Sequence, residues 1–441
     1  MADLDLNTAA TLTAVASYMK EDYTVHGIVN QINREAPFFA RVRKNGKDVR
    51  GKYAVIPLMN QGARSAVRAL DELDDLPTPG KQEVLKAQLN MKYHGARILL
   101  TEPTIQASMT EDGAFEQVVE VETRGIIQDL ADTVERELLT GGGGNARIAR
   151  IASVVSTTVF GLDFPGGSRC YPDLADSFGA KYVKKSDIFR FITGAGVPRD
   201  PTALVSAEPD TTVTPNRMTI SVANAAVIVG DFIVKASKVG LSGAAADVDD
   251  SVLAGGIGPG VEMQGLREIV DSVAGGSYLG VTNTDTWAAI VKDFTLAPTD
   301  LSEDVMEQVF YTIEQRGQQP PGAIWTTYSL RNFYATKLLI PEKRYNNTLE
   351  LQGGYKVIGF NGIPMFVSRL MPPGHMYFLS PEDLFVYNQG GFYWFDRDHF
   401  WHRMGDKMAW TATMLYYANF GTPRRNRHGV IRGLNEPFAI V

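Results

Sequence analysis

Four acidic side chains, Asp71, Glu72, Asp74 and Asp75, crowd into five residues ahead of a Pro-Gly turn at Pro79-Gly80. Two basic clusters lie far away in sequence, Arg41/Arg43/Lys44/Lys47 and Arg424/Arg425/Arg427. Like charges packed this closely repel one another. The chemistry they suit is electrostatic contact with a surface of opposite sign, and the basic run around residue 41 is the longer of the two candidates. That run also reads as a solvated loop or a phosphate contact. Residues suited to catalysis fare worse. Gly141 to Gly144 are not followed by Lys-Ser/Thr, so they form no phosphate-cradling loop. Gly255-Gly256-Ile257-Gly258-Pro259-Gly260 lacks the spacing and the strand–helix setting of a dinucleotide fingerprint. Ser17-Tyr18-Met19-Lys20 has the Ser-x-x-Lys form without its companion motifs. Asp396, Asp398, His399 and His402 are the one ligand-like group, but side chains three apart on a strand point to opposite faces. The sequence therefore reads as that of a non-enzyme, with no cofactor and no metal.

Composition narrows the class further. A net charge of −7 over 441 residues argues against a sequence-reading nucleic-acid binder, though not against a surface that encloses nucleic acid. A single cysteine, Cys170, excludes an intrachain disulfide and a cysteine zinc site and suits a reducing cytoplasm. No apolar run has membrane-spanning length, and no signal-peptide layout opens the chain.

The elements that must position these charges come next. Residues 1–50 read as an arm. Tyr53 to Leu58 and Val84 to His94 read as two strands, the second with apolar residues at odd positions from Ala87. Two arms of about twenty residues make a hairpin up to roughly 65 Å long, with the acidic cluster near its tip. Such a ribbon is marginal alone, and nearby sequence offers little to cover it, so a partner subunit is expected to do so. A helix of roughly 40 Å follows, opened by a Ser108/Glu111 capping box and stopped by the four glycines. Phe115, Val119, Ile126, Leu130, Val134 and Leu138 form its apolar stripe, and Ile126, Leu130 and Val134 are expected to pack on strands within 400–420. Glu116, Glu120, Asp129, Asp132, Glu135 and Glu137 are expected on the opposite, open face with Arg124 and Arg136. Further on, Ile148 to Phe160 reads as a strand, Ser186 to Thr193 as a helix, 199–262 as an all-β insertion and Leu301 to Arg316 as a helix.

In this order the elements resemble the major capsid proteins of tailed bacteriophages, the Hong Kong ninety-seven capsid fold. Local matches are Leu138-Leu139-Thr140-Gly141-Gly142, Trp325 to Lys337, Phe360-Asn361-Gly362-Ile363-Pro364-Met365, Asp396 to Tyr417, and His428 to Leu434. The resemblance implies an α+β fold with these parts: an N-terminal arm (1–50); an E-loop hairpin (51–100); a peripheral domain with a spine helix (101–160, completed by 376–420); an axial domain (161–375) bearing the 199–262 insertion; and a C-terminal segment (421–441) returning to the axial domain. It implies self-assembly into hexamers and pentamers of an icosahedral or prolate shell around double-stranded DNA held without sequence preference. The implied partners are a portal protein at one vertex and a separate scaffolding protein, with room for a decoration protein and no membrane. Assembly would take place in the bacterial host cytoplasm, and the mature location would be the virion. Some relatives cross-link a hairpin lysine to an asparagine; Lys81 and Asn346 have the right types, but no motif fixes them. Two other classes compete: an encapsulin-type shell that packs protein cargo, and a soluble enzyme with a long lid hairpin.

Overall fold

The computed structural model describes residues 37–61, 67, 69–70, 75, 81, 83–108, 118–141, 147–163, 179–193, 197–213, 215–236, 262–270, 277–282, 287–339, 348–350, 356–395, 401–405 and 407–436. The arm helices expected before residue 36, Phe115, the glycines 255–260, Asp396, Asp398 and His399 lie outside them. The chain is α+β and divides into two compact units, one of 1–40, 91–135 and 388–418, the other of 41–90, 136–387 and 419–441.

The first unit is built on one long antiparallel pair. Lys92–Thr101 runs against Ala409–Gly421, in register from Thr101↔Ala409 to Lys92↔Ala418, and short strands Tyr393–Trp394 and His402–Arg403 pair with the same long strand. Ile98 and Leu100 point inward and pack with Ile105, Ile126, Trp394 and Trp401. Leu130 and Val134, further along the helix, are buried. Ile126 of the helix and Trp401 thus pack against the same pair, Ile98 and Leu100. The alternation of the preceding strand does not run through, however. Met91 interrupts it, so Leu89 and Met91 are buried on odd positions, then His94, Ile98 and Leu100 on even ones. Tyr93, expected inward, stands on the open face.

Near the start of this unit Pro37–Arg41 forms a short helix. Its first amides are orphans that no earlier turn can satisfy. Glu135 takes both: Phe38 and Phe39 donate their N–H groups to its two carboxylate oxygens at 3.2 and 2.7 Å. Phe39 then packs edge-on against Phe392 and Tyr416, which lie 4.4 Å apart ring to ring.

The second unit holds two larger sheets beside the three-stranded sheet of the hairpin and the small pair Ser277–Tyr278 and Val281–Thr282. A seven-stranded one runs Ile290–Asp293, Gly429–Arg432, Met376–Leu379, Ala323–Thr326, Ile363–Val367, Lys356–Phe360, Thr348–Glu350. Its central strands are buried on both faces, as the continuous apolar runs Ala-Ile-Trp and Met-Tyr-Phe-Leu require. Helix Glu303–Gly317 covers one side with Met306, Val309, Phe310 and Ile313, starting where Ser302 accepts the Val305 N–H. Asn361-Gly362, both at positive φ, make the two-residue turn between Lys356–Phe360 and Ile363–Val367.

The other sheet differs from expectation in three ways. Its six strands run Asn216–Thr219, Val159–Asp163, Ala149–Val154, Phe232–Lys235, Ile188–Ile192, Pro198–Leu204. The stretch 148–160, expected as one strand, is a hairpin turning at 155–158. The helix expected in 186–193 is the strand Ile188–Ile192. Among the described residues, the strands of 199–262 share their sheet with 149–163 and 188–192 and form none of their own.

The long helix runs Val118–Thr140. Ser108 is the last residue of a separate helix, Glu102–Ser108, and so does not cap the long one from the expected position; Glu111 lies outside the described residues. Val119 falls in the helix, and Leu138 is buried with Leu139. The expected open acidic face fails at its end: Glu135, Arg136 and Glu137 are all buried. Residues 100° apart can be buried together only where structure surrounds the helix. Arg136 Nη2 lies 2.6 Å from Glu262 Oε1 and 3.6 Å from Glu137 Oε1. The Met263 N–H donates to Glu137 Oε2 at 3.0 Å. Two glycines permit the approach: a Cβ on Gly265 would sit 2.4 Å from the Glu137 carbonyl oxygen, and one on Gly141 2.6 Å from that of Met263. Burial alone would lower the Arg136 pKa, but the Glu262 and Glu137 charges more than offset it and hold the guanidinium charged. An Arg136→Met change leaves two carboxylates buried without their cation, at a cost of about 3–5 kcal/mol. We expect a lower urea midpoint, partly restored by adding Glu262→Leu; an unchanged midpoint would show that the pair is not held in solution.

Candidate assembly surfaces

The hairpin pairs Tyr53–Gln61 with Glu83–Asn90, in register from Tyr53↔Asn90 to Gln61↔Glu83. Period-two alternation divides it into two faces. Ala54, Ile56, Leu58, Ala87 and Leu89 are buried by the chain itself. Leu89 reaches Gly421, where a Cβ would lie 3.1 Å from its Cδ2, and Asn419 Nδ2 donates to the Asn90 carbonyl at 2.6 Å. The expectation that the hairpin lacks an intrachain cover is therefore wrong for this face, because the end of the long strand lies under it. The opposite face carries Tyr53, Val55 and Val84 at 37%, 44% and 56% exposure, beside exposed Pro57, Lys86 and Gln88. At the tip Asp75 is exposed, while Asp71, Glu72 and Asp74 lie outside the described residues.

The two basic clusters are not equivalent surfaces. Arg43 to Asn45 are no free arm: they form an edge strand parallel to Phe385–Asn388. The Arg41 guanidinium stands over Phe366 and Trp325, 4.5 and 5.9 Å from their ring centres. Arg43 faces Glu382 at 3.9 Å across an exposed gap, and the Lys47 amide turns back to the Asn45 side chain. Arg41, Arg43, Lys44 and Lys47 remain exposed. The C-terminal cluster is different. Arg425 is buried, its Nε donating to the Ile269 carbonyl at 2.7 Å and its plane over Tyr278 at 4.5 Å. Arg427 is paired to Asp383 at 2.8 Å and donates to the Gly317 carbonyl. Of that cluster only Arg424 is exposed. A flat guanidinium satisfies carbonyls at its edge and stacks on aromatics with its face, which sequence charge does not reveal.

A second exposed face belongs to the first unit's sheet. Tyr93, Tyr417 and Tyr393 form a cross-strand row, Tyr93–Tyr417 at 4.9 Å and Tyr393–Tyr417 at 5.6 Å, both edge-to-face.

Sequence reasoning missed the buried titratable groups beneath the Met371-Pro372-Pro373-Gly374 loop. Lys181 donates to the Met371 carbonyl at 2.7 Å, and burial pushes its pKa down to about 8. Glu436 accepts from Thr327 Oγ1 at 2.7 Å and from the Gly374 N–H at 2.8 Å, and burial raises its pKa. These groups hold the loop. Nearby, His428 Nδ1 accepts the Ser380 N–H, which requires a neutral ring. His375 stacks on Tyr377. Burial lowers both histidine pKa values to about 3. The unfolded chain therefore takes up protons below its ordinary histidine pKa of about 6.5 while the folded chain does not until about 3, so stability is full above 6.5 and falls as pH drops towards 3. We expect the urea midpoint to fall between pH 6.5 and 4, and a His428→Gln change, which can still accept from Ser380, to flatten that slope. A midpoint constant over this window would contradict the neutral assignment.

No family model matches the sequence, and no curated protein matches it. In fold the chain is similar to the capsid subunit of cyanophage A-1(L), with TM-score 0.49 and 12% identity over 96% of this chain and 98% of that one. It is similar to the capsid protein of a native GTA particle, with TM-score 0.47 and 7% identity over 93% and 95%. It is also similar to the SrpI encapsulin of Synechococcus elongatus PCC 7942, with TM-score 0.46 and 8% identity over 97% and 96%.

Proposed function

We propose that this chain is a structural shell protein of the Hong Kong ninety-seven capsid type. It self-assembles into the hexamers and pentamers of a closed capsid around double-stranded DNA. The observation that supports this most directly is the hairpin with one face buried by its own chain and the other, bearing Tyr53, Val55 and Val84, open. An apolar row on a paired ribbon favours a protein cover, and in a shell a neighbouring subunit supplies it. The element order agrees: hairpin, long helix, then the six- and seven-stranded sheets, with the strand Ala409–Gly421 returning late to pair with Lys92–Thr101. The role is structural rather than catalytic. DNA is held by phosphate attraction alone, weakened by salt, since the chain is acidic overall. The portal, scaffolding and decoration partners belong to the same reading.

The acidic tip has the Arg41–Lys47 run as its counterpart on a neighbour, because its four basic side chains are exposed while Arg425 is buried and Arg427 is half-buried. Exposed pairs are worth about 0–1 kcal/mol each, so their effect comes from repetition at every equivalent contact.

Electron microscopy of the expressed protein tests the reading: closed polyhedral particles are expected. Particles filled with protein cargo and free of nucleic acid would turn it towards an encapsulin-type compartment, and a monodisperse monomer would overturn it. Deleting residues 62–82 and rejoining the strands should spare the folded monomer and abolish particles. Reversing Asp74 and Asp75 to lysine should slow assembly several-fold in low salt, with partial rescue by Arg43→Glu and Lys44→Glu. Assembly at the normal rate would show that the tip's acidity serves only solvation.

A further inference from the structure

An asparagine followed by glycine closes into a cyclic imide more readily than other asparagines, because no Cβ shields the backbone nitrogen that attacks its side chain. The chain has two such pairs, Asn45-Gly46 and Asn361-Gly362, and the fold treats them differently. Asn361 and Gly362 make the two-residue turn between Lys356–Phe360 and Ile363–Val367, both at positive φ, with Phe360 paired to Ile363 beside them. The pairing locks the backbone in the left-handed conformation that this turn requires. Asn45 instead ends the edge strand Arg43–Asn45, where it pairs with Tyr387. The chain then bends through Gly46, Lys47 and Asp48, all exposed, while Asn45 is half-buried.

Two groups of that bend hold the Asn45 amide from opposite ends. The Lys47 N–H donates to Oδ1 at 3.0 Å. Nδ2 donates to Asp48 Oδ2 at 2.7 Å. The first bond closes an Asx turn, which folds the side chain back along its own backbone and carries Cγ towards the Gly46 nitrogen. Attack on an amide carbonyl needs an N–H aimed at the oxygen that gains charge and an acid–base group on the nitrogen that must leave. Lys47 and Asp48 occupy those two places, and the Gly46 nitrogen is the nucleophile held beside them.

We propose that Asn45 is a self-modifying site, at which the folded chain assists its own conversion to aspartate and isoaspartate. Gly46 N bonds to Asn45 Cγ and the Cγ–Nδ2 bond breaks. The proton shed by Gly46 N is carried by Asp48 to Nδ2, which leaves as ammonia. Water then opens the cyclic imide: opening at Cγ gives aspartate, and opening at the backbone carbonyl gives isoaspartate, with the chain continuing through the side chain. Nothing is oxidised or reduced, and water is the one co-reactant. The product places a negative charge beside exposed Arg43, Lys44 and Lys47, and as isoaspartate it adds a backbone methylene at the end of the edge strand. The age of a subunit is thereby written into the basic segment that the shell reading uses for assembly, although the chemistry itself does not rest on that reading.

The test incubates the full chain at neutral pH and follows each site by peptide mass, in which oxygen replaces NH, and by separation of the isoaspartyl peptide. In the folded chain Asn45 should convert at least tenfold faster than Asn361. It should also convert faster than Asn45 does in guanidinium, where the two sites should converge. Asp48→Asn, which still accepts from Nδ2 but carries no proton, should slow Asn45 at least threefold and leave Asn361 and the melting temperature unchanged. Slower conversion of Asn45 in the folded chain than in guanidinium would mean that the two hydrogen bonds protect the amide, and would overturn the inference. An unchanged Asn45 rate in the Asp48→Asn chain would overturn it as well. Because the readout is mass rather than assembly, an absence of particles with fast, Asp48-dependent conversion fails the shell reading and leaves this one standing. Normal particles with a slow Asn45 do the reverse.

Discussion

The structure depends on a constraint at the end of the long helix, where three consecutive charged residues are buried. Glu135 serves the first unit by closing the amides of Phe38 and Phe39. Arg136 and Glu137 serve the second through Glu262 and the Met263 amide. Removing charge from water costs several kcal/mol per ion unless every hydrogen-bonding site is met. Here a salt bridge and backbone amides meet most of them, Arg136 Nε excepted, and they can do so because Gly141 and Gly265 let two backbones approach within side-chain distance.

The same economy recurs where other charges vanish from the surface. Arg425 gives its edge to a carbonyl and its face to Tyr278, Glu436 ties the proline loop through Gly374, and His428 stays neutral to accept from Ser380. Charge that remains outside is therefore informative. On the Arg41–Lys47 segment four basic side chains stay exposed within seven residues.

Much of this was legible in the sequence, for reasons that differ by element. The hairpin and the helix Glu303–Gly317 carry clean periods of two and 3.6, and the Asn-Gly turn announces itself by backbone need. The α+β class and the inward turn of Ile126 follow from the same patterns. The run Ile188–Ile192 deceived because a short apolar stretch has no period to separate strand from helix. The turn at 155–158 was hidden because Ser-Thr-Thr continues a β-branched run without glycine or proline. Glu135 to Glu137 were placed outside since charge normally marks solvent, and their partners lie up to about a hundred residues away or more. Arg425 and Arg427 looked like a surface for the same reason.

The strand Gly429–Arg432 lies inside the seven-stranded sheet, parallel to Ile290–Asp293 on one side and antiparallel to Met376–Leu379 on the other. Until residue 432 has left the ribosome, those two strands are unpaired edges facing an empty slot. A nascent or prematurely terminated chain therefore cannot finish its core, and exposed edges mark it for chaperones or proteases. Order of synthesis thus acts as a check on this sheet, whose core closes only once residues 429–432 have been translated.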